Sequence, residues 1–374
     1  MAKLELELCK DDFHVRDFSV RERISEPFEM SVVALSSNHD VDLESVVGRG
    51  AGVIVPGSLG VFGWTGVCAH MEQLELETSE AGRSTYFLRI VPSLWLLTQR
   101  RSYRIFQHMD TKDIVRKILN EYRVQVQFEL IDTPPKLEYR VQYGETDYAF
   151  VSRLLEEAGI SYYFERHAVG DKTSDAGGTF SVNTRLVCCD NPDFNATMGE
   201  IPHRGEPNES HRKTSFVTKV GVGHRTRPGK FTYADYNFRT PSFDFHKSSE
   251  IKLNAKEKIE EPYEHFQYFH GASLVDADDR GDRKAKDKTP VADEKSLARH
   301  EEKVLAARAQ RAAEARRHEK RHVRFESNDP NIAPGQVFSI GGHARASVGL
   351  GPGNKLLVIE SNVESSLDGW RLQA

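Results

Sequence analysis

Residues 139–165 read Tyr-Arg-Val-Gln-Tyr-Gly-Glu-Thr-Asp-Tyr-Ala-Phe-Val-Ser-Arg-Leu-Leu-Glu-Glu-Ala-Gly-Ile-Ser-Tyr-Tyr-Phe-Glu, and no single type of secondary structure accommodates them. Val141 and Tyr143 alternate with polar neighbours, the period of a half-buried strand. Thr146 offers a helix N-cap and Asp147 an acid for the first turn. Tyr148, Val151, Leu154, Leu155 and Ala158 then recur at helical spacing until Gly159 supplies a stop. From Ile160 to Glu165 the pattern is β-like again. The stretch therefore predicts strand, helix and strand in an α+β setting, and by itself it carries no chemistry.

The surrounding chain has 374 residues, 38% of them hydrophobic, at a net charge of −5, enough for two to four domains. Its first residues, Met-Ala-Lys-Leu-Glu-Leu-Glu-Leu, alternate charge with leucine, so neither a cleavable signal nor a targeting peptide is expected. The most apolar window, residues 50–64, is interrupted by Pro56 and by several glycines and is too short to span a bilayer. Cys9, Cys68, Cys188 and Cys189 are too few and too irregularly spaced for a disulfide framework or a zinc ribbon. As strand neighbours, Cys188 and Cys189 would point to opposite faces, as buried reduced thiols do in a reducing cytoplasm. The sequons at Asn195 and Asn208 carry no weight without a secretory signal.

Residues 1–100 are β-patterned throughout. Leu4, Leu6 and Leu8, then Phe28, Met30 and Val32, then Leu74 and Leu76, then Tyr86, Leu88 and Ile90 alternate along short runs broken by glycine, as a small antiparallel barrel requires. The cluster Gly48-Arg-Gly-Ala-Gly52 leads into a strand, Val53-Ile-Val55, and not into a helix, so it is no phosphate cradle. Residues 101–202 form an α+β module in which Asp110-Thr-Lys-Asp113 caps a helix carrying Ile114, Val115, Ile118, Leu119 and Tyr122. Residues 203–262 and 323–374 return to strands, including a face of Phe216, Thr218, Val220 and Val222, and are expected to complete a second barrel.

Residues 263–322 interrupt that second barrel. From 292 to 322, long runs of Ala, Glu, Lys and Arg without Gly or Pro predict one long helix. Between Arg280 and Arg324 there are 15 Lys/Arg against 8 Asp/Glu, a charge of +7 that leaves about −12 for the rest. The segment has no interleaved aromatics and mixes its signs, which favours a solvated face or a contact with acidic protein and not nucleic acid. Within it, His318-Glu319-Lys320-Arg321-His322 matches a zinc-hydrolase pattern, two histidines one helical turn apart with a glutamate to activate water. Its basic setting (Arg316, Arg317, Lys320, Arg321, Arg324) disfavours a dication, and no third ligand follows at the spacing such enzymes use.

Three blocks stand in order along the chain: Arg104-Ile-Phe-Gln-His-Met-Asp-Thr-Lys-Asp-Ile-Val115, residues 141–165, and Leu186-Val-Cys-Cys-Asp-Asn-Pro192. Together they resemble VgrG, the spike proteins of type VI secretion, which are themselves similar to baseplate hub proteins of contractile phage tails. The likeness continues through Gly229-Lys-Phe-Thr-Tyr-Ala-Asp-Tyr-Asn-Phe-Arg-Thr-Pro241 and Pro334-Gly-Gln-Val-Phe338 to Gly342-His343. It implies a mainly β, α+β chain with two small antiparallel barrels and a non-enzymatic hub function. Three copies would ring an axis to cap a hexameric inner tube and carry spike or effector modules among baseplate proteins. No cofactor, metal, catalytic residue or nucleic-acid partner is implied, and the hub would assemble in the cytoplasm and be exported with the spike. The family continues after the second barrel into a β-helical needle that buries much of the trimer contact, so this chain is expected to be a monomer or weak trimer. The competing readings are a zinc-dependent hydrolase using His318, Glu319 and His322, and the hub of a phage-like tail.

Overall fold

Two capped helices anchor the fold of this computed structural model, which describes residues 2–374 except 8, 10, 58, 76–81, 135, 169–181, 193–194, 196, 226, 228–229, 236–244, 251–265, 268–301, 344–354 and 367–368. In α2 (Thr111–Glu121) the N-cap Asp110 accepts a hydrogen bond from the Asp113 N–H, and Ile114, Val115, Ile118 and Leu119 are buried. In α3 (Asp147–Ala158) Thr146 caps through the Ala149 N–H, and Phe150, Val151, Leu154 and Leu155 are buried. Gly159 closes α3 at φ +71°, a left-handed conformation that side chains resist, and the Ile160 N–H returns to the Leu155 carbonyl. Both helices behave as their local sequences predict, because capping and the 3.6-residue period are short-range properties.

The molecule is otherwise mainly β. The first hundred residues supply β1 (Lys3–Leu6), β2 (His14–Arg23), β3 (Glu29–Ser36), β4 (Gly50–Gly57), β5 (Gly60–Glu75) and β6 (Ser84–Val91), with the one-turn helix α1 (Leu43–Val46) between β3 and β4. They pair in the order β1-β4-β5-β6-β3-β2, and β1 also meets β2, with Lys3 opposite His14. Leu4, Phe28, Met30, Val32, Tyr86, Leu88 and Ile90 are buried as their alternation predicts, whereas Leu74 is exposed, beside a register shift near the end of β5. The glycine cluster opens β4, as expected of a strand.

Next come β7 (Arg101–Met109), β8 (Val126–Glu129), β9 (Leu137–Thr146), β10 (Ser161–Ala168) and β11 (Val182–Cys189). Among the described residues β7 pairs only with β9, while β11 joins antiparallel β10 to parallel β8. After β12 (Thr197–Pro202), β13 (Val217–His224), β14 (Lys230–Asp235), β15 (Phe245–Glu250) and β16 (Phe266–Gln267), the chain forms α4 (Glu302–Arg317). It ends with β17 (Arg321–Ser327), β18 (Val337–Gly341), β19 (Leu356–Leu357), β20 (Glu360–Ser366) and β21 (Gly369–Gln373). The two β-rich regions share one ten-stranded sheet, because β20 adds to β2 and the order continues through β21 and β17 to β13. Gly335, at φ +90°, lies so close to the Tyr163 ring that an added Cβ would sit 2.5 Å from it, locking the Pro334-Gly335 turn onto β10.

Two sequence expectations change. The face of Phe216, Thr218, Val220 and Val222 is broken by a register shift between Thr218 and Gly221, where Lys219 takes φ +51°, so the buried residues are Phe216 and Val217. The basic helix ends at Arg317 and does not reach His322, because pairing with β13 draws Arg321 onward into β17. Two of its arginines meet acids of the same chain: Arg308 lies 3.7 Å from Glu157 and Arg311 3.2 Å from Asp132, while Ala309 and Ala313 are buried. The expected turn at 349–353, most of the loop at 167–178 and the basic segment before 302 fall outside the described residues.

Candidate functional site

The zinc pattern does not assemble. His318 lies in a short 3-10 turn (His318–Lys320), where its Nδ1 donates to the Ala315 carbonyl at 2.5 Å. Glu319 is in that turn, but His322 belongs to β17, and its ring covers Gly223 so closely that a Cβ there would lie 2.3 Å away. Two histidines on one helical face, the premise of the pattern, are therefore lacking. Among the described residues no three His, Cys, Asp or Glu side chains converge as metal ligands. Zinc analysis of purified protein, with and without His318→Ala, checks this: both should carry the same substoichiometric trace, and one equivalent lost on mutation would restore the hydrolase reading.

The cysteines are equally quiet. Cys188 faces the main core, while Cys189 packs with Val187 and Tyr163 on the opposite face. Burial pushes the Cys188 thiol up to about 12 and that of Cys189 to about 11, away from nucleophilic thiolate.

Charge gathers instead around Asp147. Its carboxylate has no solvent exposure and accepts from Arg100 and from Arg104 (2.6 Å), from Tyr122 Oη (2.7 Å) and from Gln142 Nε2 (2.7 Å). Glu121 neutralises the outer side, pairing with Arg100 and with Arg104 at 2.9 Å. Burial alone would raise the Asp147 pKa, but the Gln142, Tyr122 and Arg100 hydrogen bonds and the Arg104 charge outweigh it and hold the carboxyl below its usual range. Burial, and then the hydrogen bond to Asp147, push the Tyr122 phenol up to about 12. An acid suited to the first turn of a helix thus ties α2, α3 and the β7–β9 ribbon together.

This network decides which way the ribbon faces. Arg104 and Gln142 are cross-strand partners, and both turn inward to the carboxylate. Gln142 is fully buried, and Tyr143, which alternation placed on the packed side, is 80% exposed. Tyr103 and Ile105 are exposed beside it, and the Tyr103 and Tyr143 rings meet edge to face at 5.3 Å. Of the seven large hydrophobic residues exposed in the described part, three lie on this one ribbon face. Aromatic and aliphatic side chains grouped on a rigid surface are what protein contact sites present. The alternation of apolar residues was visible in the sequence, but its sense was not, because the inward partner of Gln142 comes from a strand 38 residues earlier.

Among the described residues, a mainly β scaffold thus carries an outward aromatic ribbon, with the Asp147 carboxylate engaged in internal ties. Residues 21–350 match the phage tail baseplate hub (GPD) family, and the chain belongs to it. It is 28% identical over 269 residues to the type VI secretion system spike protein VgrG5 of Pseudomonas aeruginosa, an alignment covering 70% of this chain and 31% of the relative. It is 30% identical over 250 residues to VgrG4b of the same organism, covering 64% and 28%. The resemblance to VgrG is thus borne out, and this chain spans less than a third of the length of these relatives. In fold it is similar to an E. coli component of the type VI secretion system that shows structural similarity to T4 bacteriophage tail proteins gp27 and gp5 (TM-score 0.66, 19% identity, 99% of this chain and 75% of that one). It is also similar to a tail protein from Neisseria meningitidis MC58 (TM-score 0.63, 10% identity, 100% and 94%).

Proposed function

We propose that this chain is a non-enzymatic structural hub of a contractile injection apparatus, the base on which a type VI secretion spike is carried. The observation that carries the reading is the match to the baseplate hub family over residues 21–350. Three copies would surround an axis and cap a hexameric inner tube, with spike or effector modules on the far side and baseplate proteins around them. Assembly takes place in the cytoplasm, and export follows with the injected spike. In this reading residues 1–100 form one barrel, 101–202 the α+β module, 203–262 with 323–374 a second barrel, and 263–322 an insertion into it. The meeting of β1 with β2 supports the first barrel, since it returns the order β1-β4-β5-β6-β3-β2 on itself. A phage-like tail hub is the close alternative, and the proteins encoded beside it distinguish the two.

A closed threefold ring requires heterologous contacts, one patch of each copy meeting a different patch of the next. The ribbon face of Tyr103, Ile105 and Tyr143 is the patch assigned to a neighbouring copy. Sedimentation across micromolar to submillimolar concentrations should show mass rising towards three chains. Tyr103→Ser with Tyr143→Ser should shift that rise to at least about tenfold higher concentration, as loss of central aromatic contacts does, with unchanged melting. A series saturating at two or four chains contradicts the threefold hub, and one indifferent to both tyrosines contradicts this patch.

A further inference from the structure

One row of side chains crosses the outer face of the ten-stranded sheet with opposite charges at its ends. Arg89 on β6 stands opposite Ser31 on β3, Ser31 opposite Ser19 on β2, and Ser19 opposite Glu364 on β20. Their chain neighbours Leu88, Ile90, Met30, Val32, Val20 and Val363 are buried, so strand alternation turns all four away from the core. Adjacent strands lie about 4.8 Å apart, which separates Arg89 from Glu364 by about 14 Å across three steps.

The ends of the row are uncommitted. Among the described residues Arg89 makes no ion pair: its guanidinium lies 5.6 Å from the Trp95 ring, and its Nε is buried without a hydrogen-bond partner. Glu364 is exposed and makes no ion pair either, and Arg371, opposite it on β21, turns to Glu326 at 3.8 Å. The cations beside it are engaged elsewhere, Arg21 with Glu360 at 3.1 Å and Arg23 with Glu26 at 3.1 Å. Between the ends, the Ser19 and Ser31 hydroxyls have no partner among the described residues. These small side chains lie between a taller polar row, Glu29, Arg21 and Asn362, and the cross-strand pair Val33 and Phe87. A cleft of about 390 Å³ opens on the polar side, where Ser19, Ser31, Glu29, Arg21, Asn362 and Glu364 contribute to its lining.

A cation and an anion left unneutralised on one surface are complemented by a partner that carries the opposite pair. An extended chain rises about 3.4 Å per residue and turns every second side chain to the same face. An acid and a base four residues apart therefore span about 14 Å, and both face the sheet. We infer that this row is a docking site for an extended segment of a partner protein bearing an acidic and a basic residue four positions apart, the acid on Arg89 and the base on Glu364. A segment of one charge alone would set like charges together at one end, and Glu29 beside the row adds to the repulsion of a second acid.

The test titrates the full chain with a fluorescent heptapeptide, Ser-Glu-Ser-Ala-Ser-Arg-Ser, at low salt. Saturable binding is expected, weakening as salt rises. Peptides with two glutamates or two arginines at those positions should bind at least tenfold more weakly, and so should one whose glutamate and arginine stand two residues apart. Charge reversal identifies the ends: Arg89→Glu should come to prefer the two-arginine peptide, and Glu364→Arg, at an exposed position, the two-glutamate peptide. No saturation at millimolar peptide overturns the site. Indifference to spacing overturns the extended segment, and an unchanged preference in Glu364→Arg overturns the assignment of the ends. Sedimentation of both variants covers the remaining occupant, since self-association that falls on charge reversal assigns the face to a second copy and overturns the proposal.

Discussion

Asp147→Asn is expected to destabilise the protein by about 3 kcal/mol, the lower end of what breaking a buried ion pair costs, because Arg100 keeps part of its surface in water. The substitution conserves shape, so packing is not at issue. It removes the one fully buried negative charge that Arg100 and Arg104 share and leaves Glu121, itself partly exposed, to balance both guanidinium groups. The pH dependence identifies the cause. A carboxyl whose folded pKa is depressed contributes stability that is present above its unfolded pKa, about 3.9, and is lost as pH falls through the folded value. Denaturant unfolding should show the full deficit of Asp147→Asn at pH 7 and a deficit that shrinks below about pH 3.9. A deficit independent of pH would assign the loss to packing or hydrogen bonding instead. Loosening of the ribbon should accompany it, seen as faster hydrogen exchange in β7 and β9.

Trp64→Ala should have an effect of similar or larger size, about 3–5 kcal/mol, the usual cost of emptying a large aromatic site. Trp64 is fully buried in β5, with the Phe62 ring edge-on at 5.6 Å and the Arg166 guanidinium stacked 4.8 Å above it. Arg166 comes from β10, donates to the Pro330 carbonyl at 2.9 Å and lies 3.9 Å from buried Glu22, so the indole roofs a charged contact uniting distant parts of the chain. Thr65 and Thr184 reinforce it, each backbone N–H donating to the other's hydroxyl at 2.9 Å. The indole N–H has no partner among the described residues, so Trp64→Phe loses none of the hydrogen bonds described and keeps an aromatic face for Arg166. It should recover most of the loss. Equal destabilisation by Ala and Phe would mean that shape alone, and not the stacked cation, governs this position.

These positions also mark what could be read from the sequence. The helix caps at Asp110 and Thr146 and the stop at Gly159 were legible because each acts on residues three or four positions away. The sense of the β9 alternation was not, since Gln142 is drawn inside by Arg104 and Asp147, and Arg104 reaches that carboxylate across 43 residues. The helical reading of His318 to His322 failed for the same reason: β13 offers Gly223 as a pairing partner, and tertiary pairing overrides local propensity. Nor could a pattern of short strands reveal that β2 accepts β20, a pairing that brings Arg21 to Glu360 across 339 residues. Family membership was recoverable from ordered wording in three blocks. The exposed ribbon face was not, because an exposed tyrosine and a buried one look alike in an alternating strand.

The most direct test of the hub reading is to mix the purified chain with preformed inner-tube polymer from the same gene cluster and count chains at the tube ends by electron cryomicroscopy. The account predicts a three-chain ring seated on one end of each tube, reduced by Tyr103→Ser with Tyr143→Ser. Tubes whose ends stay bare at saturating chain concentration, or carry single chains without threefold order, would contradict it.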